Sequence, residues 1–236
     1  MVVMLGVLAA GCQSAAPEPA EVVEPVELLN TAAERIRVTE TFRLAVDVTG
    51  DPHFFAAVLS DEGVVSAQFL QARAQYAAPD TFQGKVRIRY GVPIDVEVYA
   101  DGVGQSYRLG NLPWIRGEFA PGFTPAMLLA DETGFQAALT NMTELAYVGR
   151  LSLEDGTPVH QVSGMANGAQ VSSLVVGLID TTEALPLNVY VHTETGYPVR
   201  IEMRVPQAEG ESLFTIDVYD INQPSEVVPP TAGEGA

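Results

Sequence analysis

Apolar and polar residues alternate with period two along much of this chain, and helical spacing is confined to its start and its middle. Phe42, Leu44, Val46 and Val48 alternate with Arg43, Ala45 and Asp47 and run into Gly50-Asp51-Pro52. A period of two with one apolar side predicts a half-buried strand closed by a turn. A variable apolar segment, His53 to Leu59, precedes a mixed but strand-like run from Val64 to Tyr76. Val86, Ile88 and Tyr90 then alternate with Lys85, Arg87 and Arg89, and Gly91-Val92-Pro93 reverses the chain. Ile94, Val96 and Val98 alternate with Asp95, Glu97 and Tyr99, and Asp101-Gly102 leads into Gln105 to Leu109. The pattern predicts an antiparallel meander, with Arg87 and Arg89 facing Asp95 and Glu97 as cross-strand pairs. Sheet resumes in the last third: Leu187, Val189 and Val191; Val199, Ile201, Met203 and Val205; Phe214, Ile216 and Val218.

Three helical stretches are expected, the middle one broken. Leu28, Leu29, Ala32, Ala33 and Ile36 recur at helical spacing, with Glu34, Arg35 and Arg37 on the wet side. Thr124-Pro125 is a helix start, because proline tolerates the first turn, where its missing N–H is not needed. Met127, Leu128 and Leu129 follow it, and after a break near 131–134, Phe135, Ala138, Leu139 and Met142 repeat at i, i+3, i+4 and i+7. A hairpin (Ala146 to Leu153, Thr157 to Gly164) leads to the last helix, expected from Ala169 to Ile179. Its apolar residues, Val171, Leu174, Val175, Val176, Leu178 and Ile179, exceed one stripe, as in helices covered on more than one side. An α+β domain results. Periodicity alone favours a solid core; a gap between curled sheet and helices is the sharper alternative.

The only cysteine, Cys12, ends the run Leu8-Ala9-Ala10-Gly11-Cys12 after a short apolar stretch. That is the mark of a bacterial lipoprotein signal, with cleavage expected to leave Cys12 as a lipidated N-terminus outside the cytoplasm. The stretch carries no Lys or Arg ahead of it, which points to Met1 as an internal start. Residues 13–25 (QSAAPEPAEVVEP) read as a flexible tether, 26–222 as one compact domain, and 223–236 as a disordered tail. A net charge of −18 with a single lysine, Lys85, speaks against nucleic acid and against attraction to anionic headgroups.

The search for catalytic chemistry returns little. His53, His160 and His192 have no second ligand at metal spacing, so each is read as a surface or strand residue. No Gly-x-Ser-x-Gly elbow occurs, which weakens an esterase reading, and the glycines at 91, 102 and 104 sit at turns rather than in a phosphate loop.

Three segments carry a resemblance: Tyr76 to Gly102 (YAAPDTFQGKVRIRYGVPIDVEVYADG), Leu112 to Gly164, beginning LPWIRGEFAPGFTPAMLL, and Leu185 to Pro206 (LPLNVYVHTETGYPVRIEMRVP). In this order the patterned blocks resemble the LppX/LprA/LprF/LprG family of lipoproteins, with a broader likeness to the LolA and LolB carriers. The resemblance implies a curved, half-open antiparallel β-barrel wrapped over helices, enclosing an apolar cavity that binds acylated lipids for movement through the envelope. It supplies no catalytic residue, and neither an enzymatic activity nor a cofactor is expected. The expected partners are an acylated lipid or lipoglycan, the membrane through the Cys12 anchor at its outer face, and a membrane lipid exporter. Candidate lining residues are Phe135, Leu139, Met142, Leu174, Val175 and Leu178 from helices, with Val86, Ile88, Val96 and Val98 from the sheet. The competing reading is a structural or regulatory envelope lipoprotein with a solid interior and no lipid cargo.

Overall fold

The structure is a computed structural model that describes residues 23–60 and 63–230. Cys12, the signal that ends at it and most of the expected tether lie outside the described residues. In chain order the elements are α1 (Pro25–Arg37), β1 (Thr41–Gly50), β2 (Phe54–Ser60), β3 (Gly63–Ala77), β4 (Thr81–Tyr90), β5 (Val92–Ala100), β6 (Gln105–Leu109) and β7 (Ile115–Arg116). A short 3-10 turn (Pro125–Leu128) precedes α2 (Gly134–Thr140), β8 (Thr143–Ser152), β9 (Pro158–Ala166) and α3 (Gly168–Leu174). Strands β10 (Leu185–His192), β11 (Pro198–Pro206) and β12 (Glu211–Tyr219) complete the chain.

The strands form one antiparallel sheet in the order β7-β6-β5-β4-β3-β1-β12-β11-β10-β9-β8, and β2 pairs with β3. It is open, with β7 and β8 at its edges. The pairing of β1 with β12, Arg43 opposite Tyr219 through Gly50 opposite Ser212, joins the first strand to the last at the middle of the sheet. The expected variable segment at 53–59 is therefore largely strand. The long β3 shares one edge in succession between β1 (at 71–77) and β2 (at 63–68).

Burial on the inner face follows from the alternation. Helix α1 buries Leu29, Ala32, Ala33 and Ile36 and rests on α2 and on β8, β10 and β11. Phe135 of α2 is fully buried and meets Phe42 of β1 edge-on, with ring centroids 5.8 Å apart, a favourable aromatic geometry. Val189 of β10 and Ile201 and Met203 of β11, the strands α1 rests on, are fully buried as well. One half of the curved sheet is thus filled by α1 and α2.

The pattern erred in two local respects. Arg87 faces Asp95 as expected, with Arg87 Nε 2.7 Å from Asp95 Oδ1. Arg89, however, is opposite Pro93, and Lys85 is the residue opposite Glu97. Glu97 is gripped by Arg108 of β6 at 2.6 Å, while Arg89 donates to Gln68. Neighbouring strands compete for the same side chain, and pairing read from one hairpin ignores the next strand over. The second departure is α3, which ends at Leu174 rather than Ile179. Asn167 caps its start by accepting from the Ala169 N–H. At its end Val176 (φ 54°) and Gly177 (φ 76°) are left-handed, and the Gly177 N–H donates to the Ser172 carbonyl. A β-branched pair followed by glycine favours leaving the helix over extending it.

Beyond β12 the chain crosses the back of the sheet. Gln75 Nε2 donates to the Glu226 carbonyl, and the Val228 N–H donates to Gln83 Oε1. These bonds involve part of the segment expected to be disordered from Gln223; residues 231–236 lie outside the description.

Candidate functional site

The other half of the curved sheet is not filled. Between the inner face of β1, β3, β4 and β5 and the end of α3 lies a cavity of about 400 Å³. Two cross-sheet rows make its floor: Val46, Ala72, Val86 and Val96, and beside it Leu44, Ala74, Gly84 and Val98. Bulky rows flank the two, Phe42–Tyr76–Phe82 on one side and Phe69–Ile88–Ile94 on the other. The space exists because Ala72, Ala74 and Gly84 are small where their neighbours in the inward pattern are large. A Cβ at Gly84 would sit 3.1 Å from Ala74 Cβ and 3.3 Å from Val98 Cγ2, so even alanine there is tight.

The roof is made by α3 and the turn after it, Val175 to Leu178, together with the segment 119–123 and Met127. The early turn at Val176 and Gly177 leaves no further helical turn to cover the sheet. Two buried polar side chains hold this roof. Gln105 of β6 accepts from the Phe119 and Ala120 N–H groups and donates to the Ala120 and Phe123 carbonyls, satisfying both ends of its amide. His53, just ahead of β2, has Nε2 2.8 Å from the Leu178 carbonyl oxygen. A carbonyl only accepts, so Nε2 carries the hydrogen, and Nδ1 accepts from the Gln207 amide at 3.2 Å. The ring packs edge-on against Phe214, with centroids 4.9 Å apart. His53 is thus a buried structural clasp just outside β2, not the surface or strand residue expected; an isolated histidine in a variable segment carries no sign of a partner 125 residues away.

Among the described residues Arg73 is the one charged residue on the wall, and its guanidinium turns away to Asp47, at 3.0 Å, and to the Ala72 carbonyl. Ser172 and Ser173 add two hydroxyls, of which Ser173 donates to the Gln170 carbonyl and accepts from the Gly134 N–H. Of the lining residues, Ala56, Pro121, Gly122, Ala169 and Gly177 are exposed. Among the described residues no group of three or more His, Cys, Asp or Glu could hold a metal ion. No helix among them is long and apolar enough to cross a membrane. Such a cavity can remove apolar surface from water.

Seven of the candidate lining residues lie on the wall: Leu174, Val175, Leu178, Val86, Ile88, Val96 and Val98. Phe135, Leu139 and Met142 do not; they are buried in the filled half between α1 and the sheet. Their helical period marked them as apolar and inward, which is equally true of core. Sequence reasoning missed the small residues at 72, 74 and 84 and the aromatic Phe55, Phe119 and Phe123. Small side chains at inward positions of adjacent strands were the available signal.

These features define an open, curved antiparallel sheet folded over helices, with an apolar cavity between the two layers. The sequence profile of the LppX_LprAFG lipoprotein family matches residues 24–227, and the chain belongs to that family. Its fold is similar to that of LprF from Mycobacterium bovis, with a TM-score of 0.68 and 14% identity over 88% of this chain and 97% of that one. The lipoprotein LppX from Mycobacterium tuberculosis matches with a TM-score of 0.58 and 18% identity, over 86% of this chain and 98% of that one. A LolA superfamily protein from Nitrosomonas europaea aligns over 87% of this chain and 96% of its own at a TM-score of 0.31 and 10% identity, too loose to carry an inference. No curated protein matches the chain by sequence.

Proposed function

We propose that this protein is a membrane-anchored, non-enzymatic carrier lipoprotein. It takes acyl chains of a lipid or lipoglycan into the cavity, shields them from water and hands them on across the cell envelope. The observation that carries the reading is the largely apolar cavity of about 400 Å³ between β3–β5 and the end of α3. Burying hydrocarbon contributes about 25 cal/mol per Å², so affinity needs no polar contact. Family membership supports the lipoprotein character. Cys12 would carry the lipid anchor, and a membrane lipid exporter would supply cargo. The alternative of a structural lipoprotein with a solid interior has this cavity against it.

Native mass spectrometry of protein purified without detergent tests the reading. Co-purifying acyl lipid supports it. A clean protein mass that stays unchanged on adding any acyl lipid overturns it.

A further inference from the structure

We propose that the end of the sheet carrying the β4–β5 hairpin is a docking surface for an anionic bilayer, beside the cavity. This deepens the carrier reading above and rests on it for the role of the face, which is to meet the membrane that gives up the cargo.

The inward apolar pattern runs past the cover of the cavity. On β4 it continues from Val86 and Ile88, both on the wall, to Tyr90; on β5 it continues from Val96 through Ile94 to Val92. Ile88 is 1% exposed, whereas Tyr90 and Val92, paired across the turn, are 52% and 63% exposed. The neighbouring β2 adds Phe54, 59% exposed, and the residue after it, Phe55, is again on the cavity wall. Phe54, Gln68, Arg89 and Pro93 make one cross-sheet row, so the ring and the hairpin share one end of the sheet. Apolar surface is thus continuous from the cavity to an exposed lip. Two aromatic side chains and a valine grouped in water mark a contact surface.

Charge decides what covers it. Strand β4 holds Lys85, Arg87 and Arg89 and no carboxylate, three of the twelve cations in a chain of net charge −18. Lys85 and Arg87 both meet Asp95, at 3.4 and 2.7 Å. Arg89, nearest the turn, donates to the neutral side chain of Gln68 at 3.0 Å and has no ion pair among the described residues. An exposed cation beside Phe54, Tyr90 and Val92 matches a surface that offers phosphate and hydrocarbon together. Arginine can lay its stem on apolar groups and extend its guanidinium to a phosphate, and tyrosine favours the interface between lipid and water. A second copy of the chain fits less well, because two bodies of net charge −18 repel.

The test uses the full-length lipidated protein in vesicles of phosphatidylcholine and phosphatidylglycerol with brominated acyl chains. Tyr90→Trp, Val92→Trp and, on the edge strand β8, Val148→Trp each add an exposed reporter to the buried Trp114. We expect quenching by the brominated chains to be at least threefold stronger at 90 and 92 than at 148. Adding Arg89→Glu to Tyr90→Trp should at least halve it. Equal quenching at all three positions overturns the docking surface, and quenching at 90 that ignores Arg89→Glu overturns its preference for anionic lipid. A parent dimer broken by Tyr90→Ser, with no quenching at 90, gives the face to a second copy and overturns the proposal. The carrier reading has its own readout. Tyr90→Ser should keep the equilibrium binding of a fluorescent fatty acid in solution and slow its uptake from vesicles at least fivefold, with an unchanged melting temperature. Uptake at the parent rate overturns the part of this face in loading while leaving the carrier reading intact. A parent protein that binds no fatty acid overturns the carrier reading and, with it, the role of the face.

Discussion

His53 Nε2 donates to the carbonyl of Leu178 at 2.8 Å, tying the start of β2 to the turn that roofs the cavity. The bond crosses 125 residues of sequence and holds a turn whose Val176 lies at φ 54°, a conformation a β-branched residue rarely adopts. The clasp keeps that turn where a longer α3 would otherwise fill the space.

His53→Ala should therefore do two things. It leaves the Leu178 carbonyl without its donor, at a cost of about 1–3 kcal/mol in urea unfolding. It also frees the Val175–Leu178 wall, so binding of a fluorescent acyl probe weakens. A folded variant with unchanged probe affinity would remove His53 from any part in shaping the site.

Leu178→Trp and Leu139→Trp separate cavity from core. Leu139 is 1% exposed and surrounded by core, so tryptophan there overpacks and costs about 1–3 kcal/mol. Leu178 lines the cavity, so its tryptophan occupies space meant for lipid; stability is kept or raised and probe binding falls. The reverse ranking of the two melting temperatures would contradict the assignment of wall and core.

On the outer face of the cavity strands, the hydrogen bond from Arg87 holds the Asp95 carboxyl below its usual range, against a smaller opposing effect of burial and with help from Lys85. A carboxylate depressed in the folded state contributes stability above its unfolded value, and this is lost as pH falls through the folded one. Arg87→Gln should thus lower stability slightly at neutral pH, where the pair is fully formed, and the difference from the parent chain should close as pH falls through the folded Asp95 value. Urea unfolding followed by circular dichroism at neutral and acid pH reads this, and coincident neutral-pH curves would deny the pair any role.

If Cys12 carries the proposed anchor, Cys12→Ala should release the protein from membranes with the melting temperature unmoved, because position 12 precedes α1, the first described element. Fractionation and a thermal melt check both halves. Retention in the membrane fraction would point to a second anchor.

The strands of the meander and the burial of Leu29, Ala32, Ala33 and Ile36 were legible in sequence, because period two and period 3.6 each dictate which side of an element meets water. The register of one hairpin was legible for Arg87 and Asp95 for the same reason: adjacent strands joined by a short turn leave little freedom. The cavity was not. Leu139 and Leu178 look alike in a hydrophobic pattern, yet one is packed on every side and the other faces a void, and only the relative placement of distant elements separates them. The sequence by itself determined which faces are apolar. The tertiary structure decided where those faces fail to meet: α3 stops at Leu174, His53 and Gln105 hold the roof off, and Ala72, Ala74 and Gly84 are too small to reach it. Periodicity encodes direction toward the interior, whereas empty volume depends on the sizes of side chains brought together from opposite ends of the chain.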